Sequence, residues 1–303
     1  MKNQKVLFFP TFILLMIAVF SPVAPQSGPV VKESRAVSGD VALFVRTAGD
    51  ISSGHVLLAV NGGPGVSSRY LEDLGTLAGP DLAVVTYDQR GVGRSSRPSL
   101  ETGQFTFDKY LEDIESVRKS LHLESFHLLG HSWGGVLALK YAAVHPGRVD
   151  SIILIGSGPL RHDEFMEAIA NIRKRVIELM KAGVIDPKLP RHSDIYPAYL
   201  SDPRFKPKTE LISDLDEQVQ NITLEAVKEY DLRTEAAKID KRVLILWGRD
   251  DVVGLDIAEK TRAALSAARV ELSVIEHCGH YWQEQPEEYF SRIRRFLGLS
   301  IFS

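Results

Sequence analysis

The sequence predicts an α/β chain, a mostly parallel, doubly wound sheet carrying a helical cap. Three observations lead there. Short continuous apolar runs recur along the chain, and amphipathic stretches of helical period separate them. One long interval, residues 159–239, breaks that rhythm with helical and proline-punctuated sequence. The chain has 303 residues, 44% hydrophobic and 25% charged, enough to bury one large core and too apolar for global disorder.

Taken in order, the elements begin with Lys2 and Lys5, an apolar run over residues 6–20, and a Pro/Ser-rich stretch reaching Pro29. A short basic region before an apolar run too short to span a bilayer comfortably is the build of a secretory signal. Pro10 interrupts the run and no clean small-x-small cleavage site follows, so an uncleaved membrane anchor is the rival reading. Residues 1–29 are therefore set apart as signal peptide or anchor, and the chain is expected to be exported (secreted or periplasmic) or membrane-anchored. Strands are expected at 55–60, 82–87, 126–129, 151–155, 243–247 and 270–275, where β-branched or leucine-rich runs are bounded by Gly, Asp or Pro. Such runs suit strands buried on both faces of a parallel sheet. Helices are expected at 107–121, 133–145, 255–267 and 286–297, and their alternation with the strands implies βαβ units. Residues 30–158 and 240–303 then form the core. Residues 159–239, punctuated by Pro187, Pro190, Pro203 and Pro207, form a helical cap above the carboxyl ends of the strands, where open parallel sheets bind ligands.

Several function classes are excluded. Net charge is −3, and the densest basic run, Arg173-Lys174-Arg175, shares a helical stretch with Met166, Ile169, Ile172, Val176 and Met180 on its other side. That pattern is a solvated helix face, and no nucleic-acid partner is expected. Cys278 is the only cysteine, so no intramolecular disulfide forms. Residues 87–95 lack the third glycine and the acidic ribose partner of a dinucleotide loop, so Asp88 and Arg90 are read as buttresses of neighbouring loops. Asn221-Ile222-Thr223 is a glycosylation sequon that matters only if exposed on an exported chain.

The chemistry centres on Gly130-His131-Ser132-Trp133-Gly134-Gly135, which follows the strand at 126–129 and opens the helix at 133–145. A G-x-S-x-G in that context is the nucleophile elbow of the α/β-hydrolase fold. It lifts the serine hydroxyl clear of the backbone, and its glycines avoid collisions with neighbouring chain. A plain strand-end turn is the alternative, and the strand before with the helix after favours the elbow. A nucleophilic serine needs a base held by a third group, and in this fold the chain order is serine, acid, histidine. The strand at 243–247 delivers Gly248-Arg249-Asp250-Asp251, and the Gly-x-x-Asp pattern selects Asp251, leaving Asp250 as a solvated turn carboxylate. The last strand delivers His277-Cys278-Gly279-His280, and Gly279 gives His280 a flexible approach to Ser132. His277 and His280 have no third ligand at useful spacing, so no metal is expected. Cys278 lacks a base of its own and is a bystander. The helix start aims the Trp133 N–H at a developing oxyanion, and the loop Asn61-Gly62-Gly63-Pro64-Gly65 supplies a second donor, assigned to Gly63.

Together the loops Asn61-Gly62-Gly63-Pro64-Gly65 and Asp88-Gln89-Arg90-Gly91-Val92-Gly93-Arg94-Ser95, the elbow and Gly279-His280 resemble the proline iminopeptidases (prolyl aminopeptidases), over about residues 40–298. Asn61 stands where the family's glycine loop begins with histidine. In that fold the strand at 151–155 is the sixth, so the cap is inserted after the sixth strand. The resemblance implies a serine peptidase that removes an N-terminal residue, often proline, from a small peptide through an acyl-enzyme, without metal or cofactor. It also implies acidic groups around the substrate's ammonium, since a buried cation needs an anion. Relatives carry a glutamate directly after the catalytic aspartate, where this chain has Val252, and a second in the cap, where Gln220 stands with Asp216 and Glu217 about one turn away. Glu217, Gln220 and Val252 are therefore the candidate substrate-binding positions, and Glu225 is a further cap carboxylate. An esterase or lactonase using the same triad on a neutral substrate is the alternative. A non-catalytic ligand-binding member usually follows loss of a triad residue, and all three are present.

Overall fold

Eight strands make one sheet in the order β1-β2-β4-β3-β5-β6-β7-β8. This is a computed structural model that describes residues 28–188, 194–207 and 214–300. The signal or anchor expected at 1–29 thus lies outside the described residues as far as Ser27. The parallel centre holds β3 (Val56–Val60), β4 (Ala83–Tyr87), β5 (Phe126–His131), β6 (Val149–Ile155) and β7 (Arg242–Gly248), with β8 (Arg269–Ile275) beside β7. β3 and β4 are buried at every residue, as continuous apolar runs require.

Two strands go beyond the expected set. β1 (Val31–Ser38) and β2 (Val41–Ala48) form an antiparallel pair, and β2 runs antiparallel to β4 as well. β1 is a sheet edge with mostly exposed residues, so its sequence carries polar groups such as Lys32, Glu33 and Arg35 instead of an apolar run. β8 corrects the expectation of burial on both faces. It is the opposite edge and leaves Arg269 and Glu271 exposed while burying Ser273 and Ile275.

The sheet is covered on both sides. Leu58 and Val60 of β3 join the cluster that includes Ile114 of α1 (Phe107–Ser120), Val136 of α2 (Trp133–Val144) and Ala258 of α6 (Leu255–Ala264). Leu57 and Ala59, one residue out of phase, join Leu71 and Leu74 of the 3-10 segment Ser68–Leu77 and Ile293 of α7 (Pro286–Leu297). That alternation is the period of two of a strand between two helical layers. Local signals set the helix ends. Thr106 caps α1 by accepting the Lys109 N–H, with Asp108 in the first turn and Arg118 and Lys119 in the last. Pro286 opens α7 and Gly298 closes it in the left-handed conformation.

Between β6 and β7 the described residues hold no strand. They form α3 (His162–Lys181), the 3-10 turn Tyr196–Tyr199, α4 (Glu217–Ala226) and α5 (Arg233–Ala236). α3 and α4 meet the carboxyl ends of the strands there. None of the described helices is long and apolar enough to cross a membrane.

Candidate active site

β5 ends in a backbone that L-residues rarely adopt. Ser132 has φ 53° and ψ −123° and forms the N-cap of α2. Such a conformation costs about 1–3 kcal/mol and persists only where the surroundings enforce it. They do so by hydrogen bonds and by closeness. The Ser132 N–H donates to Ile155 O of β6, and its carbonyl accepts from the N–H groups of Gly135 and Gly158. A Cβ on Gly134 would stand 2.1 Å from the Val60 carbonyl oxygen, so only glycine lets the helix start this near β3.

The loops after β7 and β8 bring the other two residues together. His280 Nδ1 lies 2.8 Å from Asp251 Oδ2, and both side chains are buried. Asp251 Oδ1 also accepts the Val253 N–H, which fixes the carboxylate. Asp250 is exposed, and Ser201 Oγ donates to it at 2.6 Å. His277 is exposed. Ser132 and His280 line one cavity of about 370 Å³, with Gly63 from the loop after β3. No hydrogen bond joins Ser132 Oγ to the His280 ring in this state, and such contacts often tighten only with substrate. The Gly63 and Trp133 N–H groups have no acceptor among the described residues, so both are free to donate.

The glycine loop is tied from behind. Asn61 Nδ2 donates to the carbonyls of Gly62 and Val66, and Gln89 Nε2 donates to Asn61 O. Asp88 accepts from Ser68 and Arg94, and although burial alone would raise its carboxyl, those hydrogen bonds hold it below the usual range. Arg90 pairs bidentately with buried Asp113 of α1, at 2.6 and 2.8 Å. Neither Asp88 nor Arg90 lines the cavity.

The candidate substrate positions divide. Glu217 and Gln220 of α4 line the cavity, facing an apolar wall of Phe165, Ile169 and Ile172 on α3. Glu217 is exposed and makes no ion pair with any described residue. Asp216 is engaged elsewhere, as the N-cap of α4 and partner of Arg97 at 2.7 Å. Glu225 pairs with Lys228. The wall carries Val253 in place of Val252, because the chain turns where the Val253 N–H meets Asp251. Asn221 of the sequon is exposed on α4 and lines the cavity, while Thr223 is buried with its hydroxyl 2.8 Å from that of Tyr110. Cys278 is buried, and burial pushes its thiol up to about 12, which keeps it protonated and inert. Among the described residues no three potential ligands could hold a metal ion.

Glu284, four residues after His280, is a functional residue that no sequence motif marks. Its carboxylate accepts the N–H groups of Gly279, Ser201 and Asp202, and the His280 N–H donates to Tyr199 O. The loop that carries His280 is thereby tied to the segment between α3 and α4. Burial raises the Glu284 carboxyl above its ordinary value.

An elbow serine after the central strand, a buried Asp–His pair from the last two strand ends and a helical insertion over them define a class. The chain belongs to the alpha/beta hydrolase fold family, which it matches over residues 55–286. Within that family it is similar to the proline iminopeptidases. It is 39% identical to the proline iminopeptidase of Lactobacillus helveticus (strain DPC 4571) over 113 residues, 37% of this chain and 38% of that protein. Against the proline iminopeptidase of Lactobacillus crispatus (strain ST1) it is 26% identical over 284 residues, covering 84% of this chain and 94% of the relative. The crystal structure of proline iminopeptidase from Mycobacterium smegmatis superposes with a TM-score of 0.67 at 19% identity, over 88% of this chain and 98% of that one. An esterase from Exiguobacterium antarcticum shares the fold equally well, with a TM-score of 0.66 at 20% identity, over 88% of this chain and 100% of that one.

Proposed function

We propose that this chain is a serine hydrolase of the proline iminopeptidase type, releasing an N-terminal residue from a small peptide through an acyl-enzyme, with no metal or cofactor. Ser132 Oγ attacks the scissile carbonyl carbon as its proton passes to His280 Nε2, while Asp251 holds the imidazole by its Nδ1–H. The carbonyl oxygen, now negative, takes hydrogen bonds from the Gly63 and Trp133 N–H groups. His280 then protonates the departing amine, and water, activated by the same ring, releases the acyl group. The observation that carries this reading is the buried 2.8 Å Asp251–His280 pair opening with Ser132 on one cavity. Glu217 supports the aminopeptidase part, as the one cap carboxylate of Asp216, Glu217 and Glu225 that lines the cavity without an ion pair to a described residue, although Arg173 of α3 lines the same cavity.

A second reading has its own support. Gln220 and Val253 are neutral, and α3 contributes apolar Phe165, Ile169 and Ile172 with the cation Arg173, which suits an ester without an ammonium group. Labelling and substrate choice separate the two. A fluorophosphonate should label Ser132 and leave Ser132→Ala unlabelled. Proline p-nitroanilide should be cleaved, and its N-acetylated form should not, because acetylation removes the charge that Glu217 would pair. Equal rates on the two amides, with fast hydrolysis of short p-nitrophenyl esters, select the esterase. For location, the Lys2/Lys5 charges before the apolar run at 6–20 support export or membrane anchoring.

A further inference from the structure

A small cavity of about 70 Å³ beside Ser132 is walled by Tyr70, His131 and Tyr281. Tyr70, on the 3-10 segment Ser68–Leu77, is 2% exposed, and His131, the last residue of β5, is 1% exposed. His131 Nε2 lies 3.0 Å from the His280 carbonyl oxygen. A carbonyl only accepts, so Nε2 carries the proton. Burial, with the neighbouring His280 ring, keeps the His131 pKa well below the ordinary histidine value, so the ring is neutral and Nδ1 is an acceptor. The Tyr70 hydroxyl, 2.7 Å away, therefore donates to Nδ1. The Tyr70 oxygen in turn accepts the Gly62 N–H at 2.5 Å. Every group is used once in one direction, from Gly62 through Tyr70 and His131 to the backbone of His280.

We propose that Tyr70 and His131 are positioning residues, whose hydrogen-bond relay sets the spacing between the loop presenting the Gly63 N–H and the loop presenting the His280 ring. The role rests on the serine hydrolase reading above. Gly62 is bonded to the donor residue Gly63, and the His280 carbonyl belongs to the residue whose ring serves as base. A shift at either end of the relay thus moves one half of the machinery against the other. Oxyanion donors act at about 2.7–3.1 Å, and a displacement near 1 Å can cost about a hundredfold in rate. The relay also consumes the Gly62 N–H, so of the Gly62-Gly63 pair only the Gly63 N–H remains to donate.

Tyr70→Phe keeps the ring packed against Tyr281 and Trp282 and removes only the hydroxyl. Its kcat on p-nitrophenyl acetate should fall roughly ten- to a hundredfold. KM should stay within about twofold, as expected for an interaction used mainly in the transition state. The inhibition constant of a boronic acid, whose adduct on Ser132 occupies the oxyanion site, should rise by the same factor as kcat falls. His131→Gln, able to donate to the His280 carbonyl and accept from Tyr70, should retain much more activity than His131→Leu. Independently of turnover, amide hydrogen exchange across residues 61–66 should accelerate in Tyr70→Phe. A wild-type kcat in Tyr70→Phe, equal losses in the two His131 variants, or unchanged exchange would each overturn the proposal. Failure of the wild-type chain to react with a fluorophosphonate would instead refute the hydrolase reading, and the exchange measurement would still decide whether the relay holds the loop.

Discussion

Asp251 is buried and accepts the His280 Nδ1–H at 2.8 Å, while Asp250 is exposed and takes its hydrogen bond from Ser201. Orientation of the imidazole is what the acid supplies, and an amide in its place favours the wrong tautomer. Asp251→Asn should therefore lower kcat by about 10³–10⁴-fold. Asp250→Asn should change it only a few-fold, since it alters one exposed contact. Steady-state kinetics on a single ester checks both, and the reverse ordering would dismiss Asp251 as the orienting acid. The sequence already points to these residues, because chain order and strand ends constrain them. It is less informative about Val252 and Val253, where a single hydrogen bond to Asp251 decides which side chain reaches the cavity. It is silent about Tyr70. That residue meets His131 across a separation of 61 positions, and no local pattern marks such a contact.

The elements that place these side chains were legible in proportion to their burial. β3 through β7 announce themselves as apolar runs because helices cover both faces. β1 is hidden by its exposed polar residues, and β2, though mostly buried, has its apolar run broken by Arg46 and Thr47. The 3-10 segment Ser68–Leu77 was likewise not expected, yet it carries both Tyr70 and Asp73. Asp73 fastens it to the loop after β8, accepting from Trp282 Nε1 and Gln283 Nε2 through Oδ2, while Oδ1 is buried without a partner. Burial pushes this carboxyl from 3.8 up to about 6. Below about pH 4 the group is protonated whether the chain is folded or not, and its contribution to stability is complete. As pH rises through about 6 the folded protein must ionise a buried carboxyl, and that contribution is lost. Asp73→Asn stays neutral and can still accept both hydrogen bonds. Its stability relative to the wild type should therefore rise between about pH 4 and pH 6 and level off above, by up to ~3 kcal/mol in all. Chemical denaturation of both proteins across that range tests it, and a constant difference would mean that Asp73 titrates as an ordinary carboxylate.

At the scale of the whole molecule, the site is assembled from strand ends spread along the described sheet. The Gly63 loop follows β3, Ser132 ends β5, Asp251 follows β7 and His280 follows β8. Gly49 N–H to Val30 O is the hydrogen bond that first fixes the described chain to the sheet. The fold should then be independent of residues 1–27, whose composition suits delivery: Lys2 and Lys5, an apolar run and a Pro/Ser-rich spacer. A chain starting at Gly28 should keep the thermal midpoint and kcat of the processed protein, because every strand and site residue described above lies after it. Mass spectrometry of natively expressed protein should find a new N-terminus between Ser21 and Gly28 in an exported fraction. Intact Met1 in the membrane fraction would make the segment an anchor, which the shortness of the run disfavours but the interruption at Pro10 and the missing cleavage site allow. Intact Met1 on soluble cytosolic protein would end the export proposal. It would leave the hydrolase assignment untouched, because that assignment draws on no residue of the segment 1–27.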